Sequence, residues 1–460
     1  MPNVARLIES EGYQPLQYRC GIPSTTPFCQ AGILYGDNTE IPSYRWWDKE
    51  AGLLVGFGVG ASFKKVAHRY FAGAAPLTEG GAVIGCCYPA GAKDTFGLAY
   101  RVGDNSGSRQ SHSALATILP FFASPLRVAD WLRHGLWAVA ATGAMAIRSR
   151  IRGKPAERSY VISEMLEELF LHHVARYALL KALDAGFPAL YAGFYAYDET
   201  AHGFGPEDDY CYRMLSEIDE TIGKVAAART GGHGRPAEYE LVVLSDHGQV
   251  ETVPFNRKDG RTLGEIVSGF LPTYEVAEYK GKKHGPKGDP LDGHIALTYS
   301  GGLAHLYFTD IQGRLGAAEL DLRFPGLIAK LAGLERIAIV LVRDGGDHLL
   351  IRGEQRMKLG SRAAAKVLAE YDDDPQLLSA QLERLDSFER SGDLILFGEM
   401  LCDGQVNFEH QVGGHGSIGG DQSKPFLLVK AEWGIDTSKI RGAHDVHPLL
   451  TALRDRLAAG

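Results

Sequence analysis

Three short polar clusters contain side chains that could bind metal ions. In the first, Asp198 and His202 are four residues apart, a spacing that one helical turn brings to a single face. In the second, Asp246 and His247 are adjacent and can share an ion only where a strand ends and the chain bends. The third is His415 in the glycine-rich loop GGHG. Each cluster alone is explained as well by a capping pair, a polar turn or a flexible loop, but together they suit zinc or a similar divalent metal.

The segment around Thr26 offers a candidate nucleophile. Thr26 followed by Pro27 has the form of an N-cap residue with proline in the first helical position, which is a sufficient structural explanation by itself. A hydroxyl at a helix N-terminus also lies where backbone N–H groups and the helix dipole favour a bound phosphate or a developing anion. A metal ion close to this oxygen would favour the alkoxide. Both interpretations follow from the residues.

The elements that must position these side chains are strands followed by polar loops. The apolar runs 189–197 and 240–245 predict two strands, and the amphipathic stretch between them predicts a helix. A right-handed crossover of this kind makes the two strands parallel and brings both polar clusters to the same edge of a sheet. The sequence therefore predicts an α/β fold with its catalytic loops at one sheet edge.

Composition places the chain among ordinary globular proteins. Its 460 residues include 48 Lys+Arg and 56 Asp+Glu, and the net charge of −8 excludes a generally basic nucleic-acid binder. The six cysteines show no paired spacing and are interpreted as small buried side chains. No secretory signal is visible at the N-terminus, which predicts a cytoplasmic location.

Two regions differ from the rest of the chain. Residues 121–185 predict a helical excursion, within which the apolar stretch 135–147 is too short to span a bilayer. Arginines flank that stretch, and we favour a buried helix with solvated ends over an amphipathic helix that lies on a membrane. Residues 257–293 are rich in Lys, Gly and Pro and predict an exposed insertion, for which a solvated loop is favoured over a phosphate-attracting patch.

The order of these motifs resembles that of the type I phosphodiesterase/nucleotide pyrophosphatase branch of the alkaline phosphatase superfamily. PSTTP is followed by a glycine, Gly36, ten positions after Thr26, and then by DxxxH at Asp198, DHG at Asp246 and GGHG at His415. The resemblance extends over about residues 1–430. It implies one hydrolase domain, 1–460, built as a three-layer α/β sandwich around a mostly parallel central sheet.

The resemblance also implies an activity and a role for each residue. Thr26 would be the nucleophile that becomes transiently phosphorylated. The implied metal ligands are Asp198, His202 and His415 for one ion and Asp246 and His247 for the other. The implied cofactors are two divalent ions, zinc or manganese, and the implied substrate is a small phosphate ester, with a phosphodiester favoured over a monoester.

One feature departs from this pattern. Members of the branch begin with a hydrophobic strand ending in Asp-Gly, whose aspartate ligates the second metal, whereas this chain begins MPNVARLIESEGY. The resemblance therefore predicts that the first strand and one carboxylate ligand are missing, and a start placed too far downstream explains this better than a natural loss. The alternatives are a phosphonate hydrolase or phosphotransferase of the same superfamily, or a catalytically impaired relative that only binds an anion.

Overall fold

The computed structural model describes residues 1–57, 62–66, 69–71, 73–97, 119–151, 158–229, 238–257, 260–279 and 295–459. These segments form an α/β structure, as predicted. Their helices are α1 (Pro2–Glu11), α2 (Thr26–Tyr35), α3 (Ser62–Val66), α4 (Pro125–Ile151), α5 (Arg158–Ala185), α6 (Ala196–Phe204), α7 (Asp209–Ala228), α8 (Leu263–Phe270), α9 (Ala317–Arg323), α10 (Leu327–Ala332), α11 (Arg362–Leu368), α12 (Pro375–Ser387) and α13 (Val446–Ala459).

The strands of the described segments occur singly or in consecutive runs between these helices. They are β1 (Tyr13–Gln17), β2 (Arg45–Asp48), β3 (Leu53–Gly56), β4 (Ala82–Ile84), β5 (Asp94–Phe96), β6 (Leu190–Ala192), β7 (Val243–Leu244), β8 (Val250–Pro254), β9 (Val276–Tyr279), β10 (Ile295–Ser300), β11 (Leu303–Phe308), β12 (Ile337–Asp344), β13 (Asp347–Arg352), β14 (Gln355–Lys358), β15 (Leu394–Gly398), β16 (Met400–Leu401), β17 (Gly404–Asn407), β18 (Gly413–Gly414) and β19 (Phe426–Lys430).

The largest sheet has seven strands in the order β14-β13-β12-β15-β11-β10-β9. Both of its faces are buried, because alternate residues of β12 such as Ile339 and Val340 enter two separate apolar cores. Helices α11 and α12 contribute to one core, and helices α8, α9 and α10 contribute to the other. Helices therefore cover both faces of this sheet.

Most neighbours in this sheet are antiparallel, with β9 and β10 as a parallel pair. The prediction of a mostly parallel sheet does not hold here, because tight hairpins connect successive strands such as β10–β11 and β12–β13. In the β10–β11 hairpin, Gly301 adopts a φ of 60°, a left-handed conformation that glycine reaches without steric cost.

The strands that precede the first two polar clusters are shorter than predicted and lie in different sheets. β6 belongs to the parallel sheet β5-β4-β6, and β7 belongs to the antiparallel sheet β1-β19-β7. In the described part of the chain no strand pairs with both β6 and β7. The prediction that these two strands are parallel neighbours is therefore not met.

The helix predicted between the two strands is present as α7. Asp208 caps it, accepting a hydrogen bond from the Tyr210 backbone N–H at 2.9 Å. Asp219 on its buried face accepts hydrogen bonds from the backbone N–H groups of Asn3 and Val4 at 3.0 and 2.9 Å. These bonds attach α1 to α7.

Two long helices, α4 and α5, cover much of the range 121–185. The interpretation of 135–147 as a buried helix is wrong, because Leu136, Val139 and Ile147 are 71%, 51% and 64% exposed. The opposite side of α4 carries the packing contacts, as where the Trp137 ring stacks on Tyr210 of α7 at 5.9 Å. Among the described residues, no helix combines the length and apolar character needed to cross a bilayer.

The segment 257–293 is only partly an exposed insertion. Residues 260–279 form α8, which has a capping box between Thr262 and Glu265, and β9 at the edge of the seven-stranded sheet. Leu263 and Val267 of α8 are buried in a core, which is why this part is not a solvated loop. The basic centre of the predicted insertion, 280–290, lies outside the described residues.

Candidate metal and nucleophile site

The candidate nucleophile lies at the start of α2. Thr26 is the first helical residue and Thr25 occupies the N-cap position, so the interpretation of Thr26 as the N-cap is wrong by one residue. The Thr26 side chain does not cap the helix. Its Oγ1 lies 2.9 Å from Nε2 of His247 and the residue is 9% exposed. Gly36 ends the helix in a left-handed conformation.

The Asp198–His202 pair lies on α6, one helical turn apart as the spacing predicts. Nε2 of His202 is 3.5 Å from Oδ2 of Asp198. Nδ1 of the same ring donates a hydrogen bond to the Gly413 carbonyl at 2.9 Å. Burial lowers the pKa of His202, but the Asp198 carboxylate more than offsets this and raises it to about 10, so a metal ion at Nε2 would displace a proton there.

The glycine-rich loop brings His415 to the same carboxylate. A Cβ at Gly413 would lie 2.3 Å from the Ala201 carbonyl oxygen, so only glycine lets the loop approach α6 this closely. Nδ1 of His415 donates to the Ser24 carbonyl at 2.8 Å, and its Nε2 is 3.6 Å from Oδ1 of Asp198. The loop therefore joins Asp198 to the segment before Thr26.

The second cluster follows β7. Nδ1 of His247 donates to the Gly248 carbonyl at 3.1 Å, which leaves Nε2 to accept a hydrogen bond from Thr26. The His247 ring stacks on the His415 ring with centroids 3.8 Å apart. Oδ1 of Asp246 lies 3.9 Å from Nε2 of His247.

The structure groups these residues differently from the predicted partition. Asp198, His247 and His415 each offer a ligand atom, and these atoms lie within 4.8 Å of one another. His247, predicted to act with Asp246, thus also faces the first group. All five predicted ligands lie in one neighbourhood around Thr26, and His247 connects the two predicted sets.

The two carboxylates of the site have pKa values that are shifted in opposite directions. Burial by itself would raise the pKa of Asp198, but the nearby His202, whose own pKa this carboxylate raises, holds it well below the usual range. Burial raises the pKa of Asp246, and the charge of Asp198 adds to that effect. Burial, together with the adjacent His247, lowers the pKa of His415 and keeps this ring neutral.

The donor set fits a divalent metal ion. Each of the three imidazoles has its Nδ1–H held by a backbone carbonyl, so that Nε2 is the ring nitrogen that faces the site and can ligate a metal ion. Two carboxylates complete the set with the negative charge that a divalent ion requires. Nitrogen and oxygen donors in this ratio suit zinc and also accommodate manganese.

Two glutamines of the site were not singled out from the sequence. Gln249 donates from Nε2 to the side chain and, at 2.9 Å, to the backbone carbonyl of Asp198. Nε2 of Gln30 lies 3.5 Å from Oδ2 of Asp246. The position of Gln30, one helical turn after Thr26, is a signal that could have identified it.

A second group of possible ligands, Asp130, His134 and His173, lies between α4 and α5. Arg176 donates from its guanidinium to Nδ1 of His173 at 2.9 Å. Because arginine only donates, the neutral His173 ring carries its proton on Nε2 and has no lone pair left for a metal. This group therefore does not fit a metal site.

The comparison with known proteins points to phosphoric ester chemistry. The family model described as type I phosphodiesterase / nucleotide pyrophosphatase matches residues 137–267, a range that holds the first two polar clusters. This match confirms the predicted resemblance and the prediction that the chain is an enzyme of the phosphoesterase type. No curated protein matches the chain at a significant level.

Two solved structures are similar to the chain over most of its length. One is phosphonoacetate hydrolase from Sinorhizobium meliloti 1021 in complex with phosphonoformate, 13% identical with a TM-score of 0.48; the alignment covers 99% of this chain and 90% of that one. The other is a mutant of the alkaline phosphatase PafA, 12% identical with a TM-score of 0.48; the alignment covers 95% of this chain and 88% of that one.

Proposed function

We propose that this relative of the type I phosphodiesterases hydrolyses phosphoric esters, with phosphodiesters as the preferred class, through Thr26 at a two-metal site. The observation that carries the proposal is the position of the Thr26 hydroxyl. Its Oγ1 lies at the N-terminus of α2, 2.9 Å from Nε2 of His247. His247 in turn belongs to the ligand group with Asp198 and His415.

The metal ions would be held by the residues that the sequence predicts. On the predicted partition, Asp198, His202 and His415 would hold one divalent ion and Asp246 and His247 the other, with His247 close enough to Asp198 and His415 to lie between the two ions. When bound, the ions supply Lewis acidity that favours the threonine alkoxide and neutralises charge on the phosphoryl group.

The chain's own groups would orient the attack. Nε2 of His247 faces Thr26, so whatever occupies that lone pair, a proton or a metal ion, is within reach of the attacking oxygen. The first-turn N–H groups of α2 have no partner within the helix and, with the helix dipole, favour a bound phosphoryl oxygen. Thr26 is 9% exposed, so its oxygen has little contact with bulk water.

The reaction would proceed in two displacements. Thr26 Oγ1 gives up its proton to solvent and forms a bond to phosphorus, while the bond from phosphorus to the leaving oxygen breaks and the alcohol departs with a proton from solvent. Water then attacks the phospho-threonine, releasing the phosphate monoester and restoring the hydroxyl. The metal ligands form no bond to the substrate, and their role is to hold the ions in place. A good leaving group departs without a side-chain acid.

The test is turnover of bis(p-nitrophenyl) phosphate by the chelator-treated chain with zinc or manganese added back. Thr26→Ala should lose at least about a thousandfold in kcat and keep its metal, since the nucleophile is removed but no ligand. Thr26→Ser should retain turnover, and an acid quench should trap the p-nitrophenyl phosphoryl group esterified to the side chain at position 26. Thr39→Ala, an exposed threonine beyond the other end of α2, is the matched control and should behave as wild type.

Two outcomes would overturn the proposal. If Thr26→Ala turns over the diester at the wild-type rate, Thr26 is not the nucleophile. If the metal-loaded wild type binds phosphate but turns over neither a diester, a monoester nor a phosphonate, the chain is an anion-binding relative without catalysis.

A further inference from the structure

Helix α4 presents an apolar surface to solvent. Leu132, Leu136, Val139, Ile147 and Ile151 are 47%, 71%, 51%, 64% and 81% exposed. We call these five residues the α4 stripe. Alanines and a glycine fill the positions between Val139 and Ile147 on the same side, and Ala140, Gly143 and Ala144 are exposed as well.

The stripe follows one face of the helix. Steps of three and four residues relate its members, so they lie within one arc of the helix surface. From Leu132 to Ile151 the rise of an α-helix gives a length of about 28 Å. A surface helix normally turns its polar face outward, and α4 does the reverse.

The other face of α4 is packed against the protein. Nε2 of His134 lies 3.7 Å from Oε1 of Glu217 on α7, and the Arg213 guanidinium lies 3.2 Å from the centre of the Trp137 ring. These contacts pack residues 134–137 of α4 against α7. Helix α4 can therefore lie in the plane of an interface with its stripe inserted, without crossing the bilayer.

The charge of α4 differs from that of the whole chain. The helix carries four arginines and one aspartate, whereas the protein has a net charge of −8. Arg133, beside the stripe, has 72% of its side chain exposed and pairs with Asp130 at 3.1 Å. Arg148 and Arg150 lie near the C-terminal end of the helix, and α4 has no acidic residue after Asp130.

This charge pattern distinguishes between two possible binding partners of the stripe, a second copy of α4 and a lipid surface. A second copy of α4 would bring arginines against arginines, because the helix offers its partner a single carboxylate. An anionic lipid surface attracts the excess positive charge of α4, and the exposed Arg133 side chain can reach the headgroups while the stripe enters the acyl boundary. We propose that the α4 stripe binds the surface of an anionic lipid bilayer.

The packed face of α4 adjoins the candidate site. Trp137 belongs to a small apolar cluster with Ala196 and Tyr197 of α6, the helix that carries Asp198 and His202. A chain bound through the stripe holds the candidate site close to the lipid surface.

The test is flotation of the full chain with vesicles of phosphatidylcholine alone or mixed with phosphatidylglycerol. Wild type should bind the mixed vesicles about tenfold or more tightly than the neutral ones, and added salt should weaken that binding. Leu136→Asp and Ile147→Asp should each lower the affinity for mixed vesicles about tenfold or more. The matched control is Leu322→Asp on α9, an 81% exposed leucine away from the stripe, which should bind as wild type.

Because the changed leucine and isoleucine side chains are exposed, the variants should keep the wild-type circular dichroism spectrum and the turnover of a water-soluble diester. If neither wild type nor any variant turns over the diester, that result counts against the proposed function and leaves the lipid-binding proposal unaffected. The lipid proposal is overturned if wild type does not bind mixed vesicles, or if the stripe variants bind as wild type does. It is also overturned if wild type is a dimer that Leu136→Asp converts to a monomer, since a second copy then covers the stripe.

Discussion

Protonation of His305 should make the protein measurably less stable in mild acid. His305 lies on β11 and is fully buried. Its Nδ1 accepts a hydrogen bond from the Gly392 backbone N–H at 3.0 Å, and its Nε2–H donates to the Pro42 carbonyl at 3.1 Å. The neutral ring thus satisfies both partners. A second proton would point at the Gly392 N–H and place a charge in the core.

The magnitude follows from the pKa of this ring. Burial lowers the pKa of His305 from its ordinary 6.5 to about 3, and the charge of Arg314 acts in the same direction, against a smaller raising effect of Asp386. Between these values the unfolded chain binds a proton that the folded chain does not, so the free energy of unfolding falls as the pH falls below 6.5. At about 1.4 kcal/mol per pKa unit, the loss between pH 7 and pH 5 is about 2 kcal/mol. This figure requires only that the folded-state pKa lies well below 5.

The assay is urea unfolding at pH 7 and pH 5, followed by circular dichroism. Wild type and His305→Gln are compared, with His410→Gln, an exposed imidazole, as the control. His305→Gln lowers stability at pH 7, but its loss on going to pH 5 should be about 2 kcal/mol smaller than that of wild type. Other titrating groups cancel in the comparison. Equal losses for wild type and His305→Gln would refute the reasoning.

Three further predictions concern the candidate site. Gly413→Ala should lower zinc affinity about tenfold and stability by about 1–3 kcal/mol, measured by calorimetry and thermal unfolding, because its Cβ would lie 2.3 Å from the Ala201 carbonyl. Normal zinc binding in this variant would show that the His415 loop does not need glycine at position 413 to approach α6. Gln30→Leu should lower kcat about 10- to 100-fold with metal content kept, because Asp246 loses a donor 3.5 Å away; unchanged kcat would leave Gln30 without a positioning role. His415→Ala should purify with less metal than wild type by elemental analysis, and excess zinc should restore little turnover; full metal content would remove His415 from the ligand set.

Local features of the site could be predicted from the sequence. The i, i+4 spacing of Asp198 and His202 places both on one face of α6, because helical geometry depends only on nearby residues. Thr26 at the start of a helix with a proline next to it was predicted to within one residue. The helix between the two predicted strands was also found from its amphipathic periodicity.

Features that depend on distant parts of the chain could not be predicted. The apolar face of α4 was assigned to the interior, because periodicity identifies an apolar face without saying whether another element covers it. The lengths and sheet partners of β6 and β7 were missed, because strand pairing joins residues far apart in sequence. Gln30 and Gln249 have no motif of their own, and only their contacts with Asp246 and Asp198 show their place in the site.

The sequence by itself determined which ligand types are present and the local backbone that carries each of them. The tertiary structure decided which imidazole faces which carboxylate. His247 is adjacent to Asp246 in the chain, yet its Nε2 lies between Thr26 and the group of Asp198 and His415. The physical reason is that its ring orientation is set by a hydrogen bond to the Gly248 carbonyl and by stacking on the His415 ring, which a loop 168 positions further along the chain supplies.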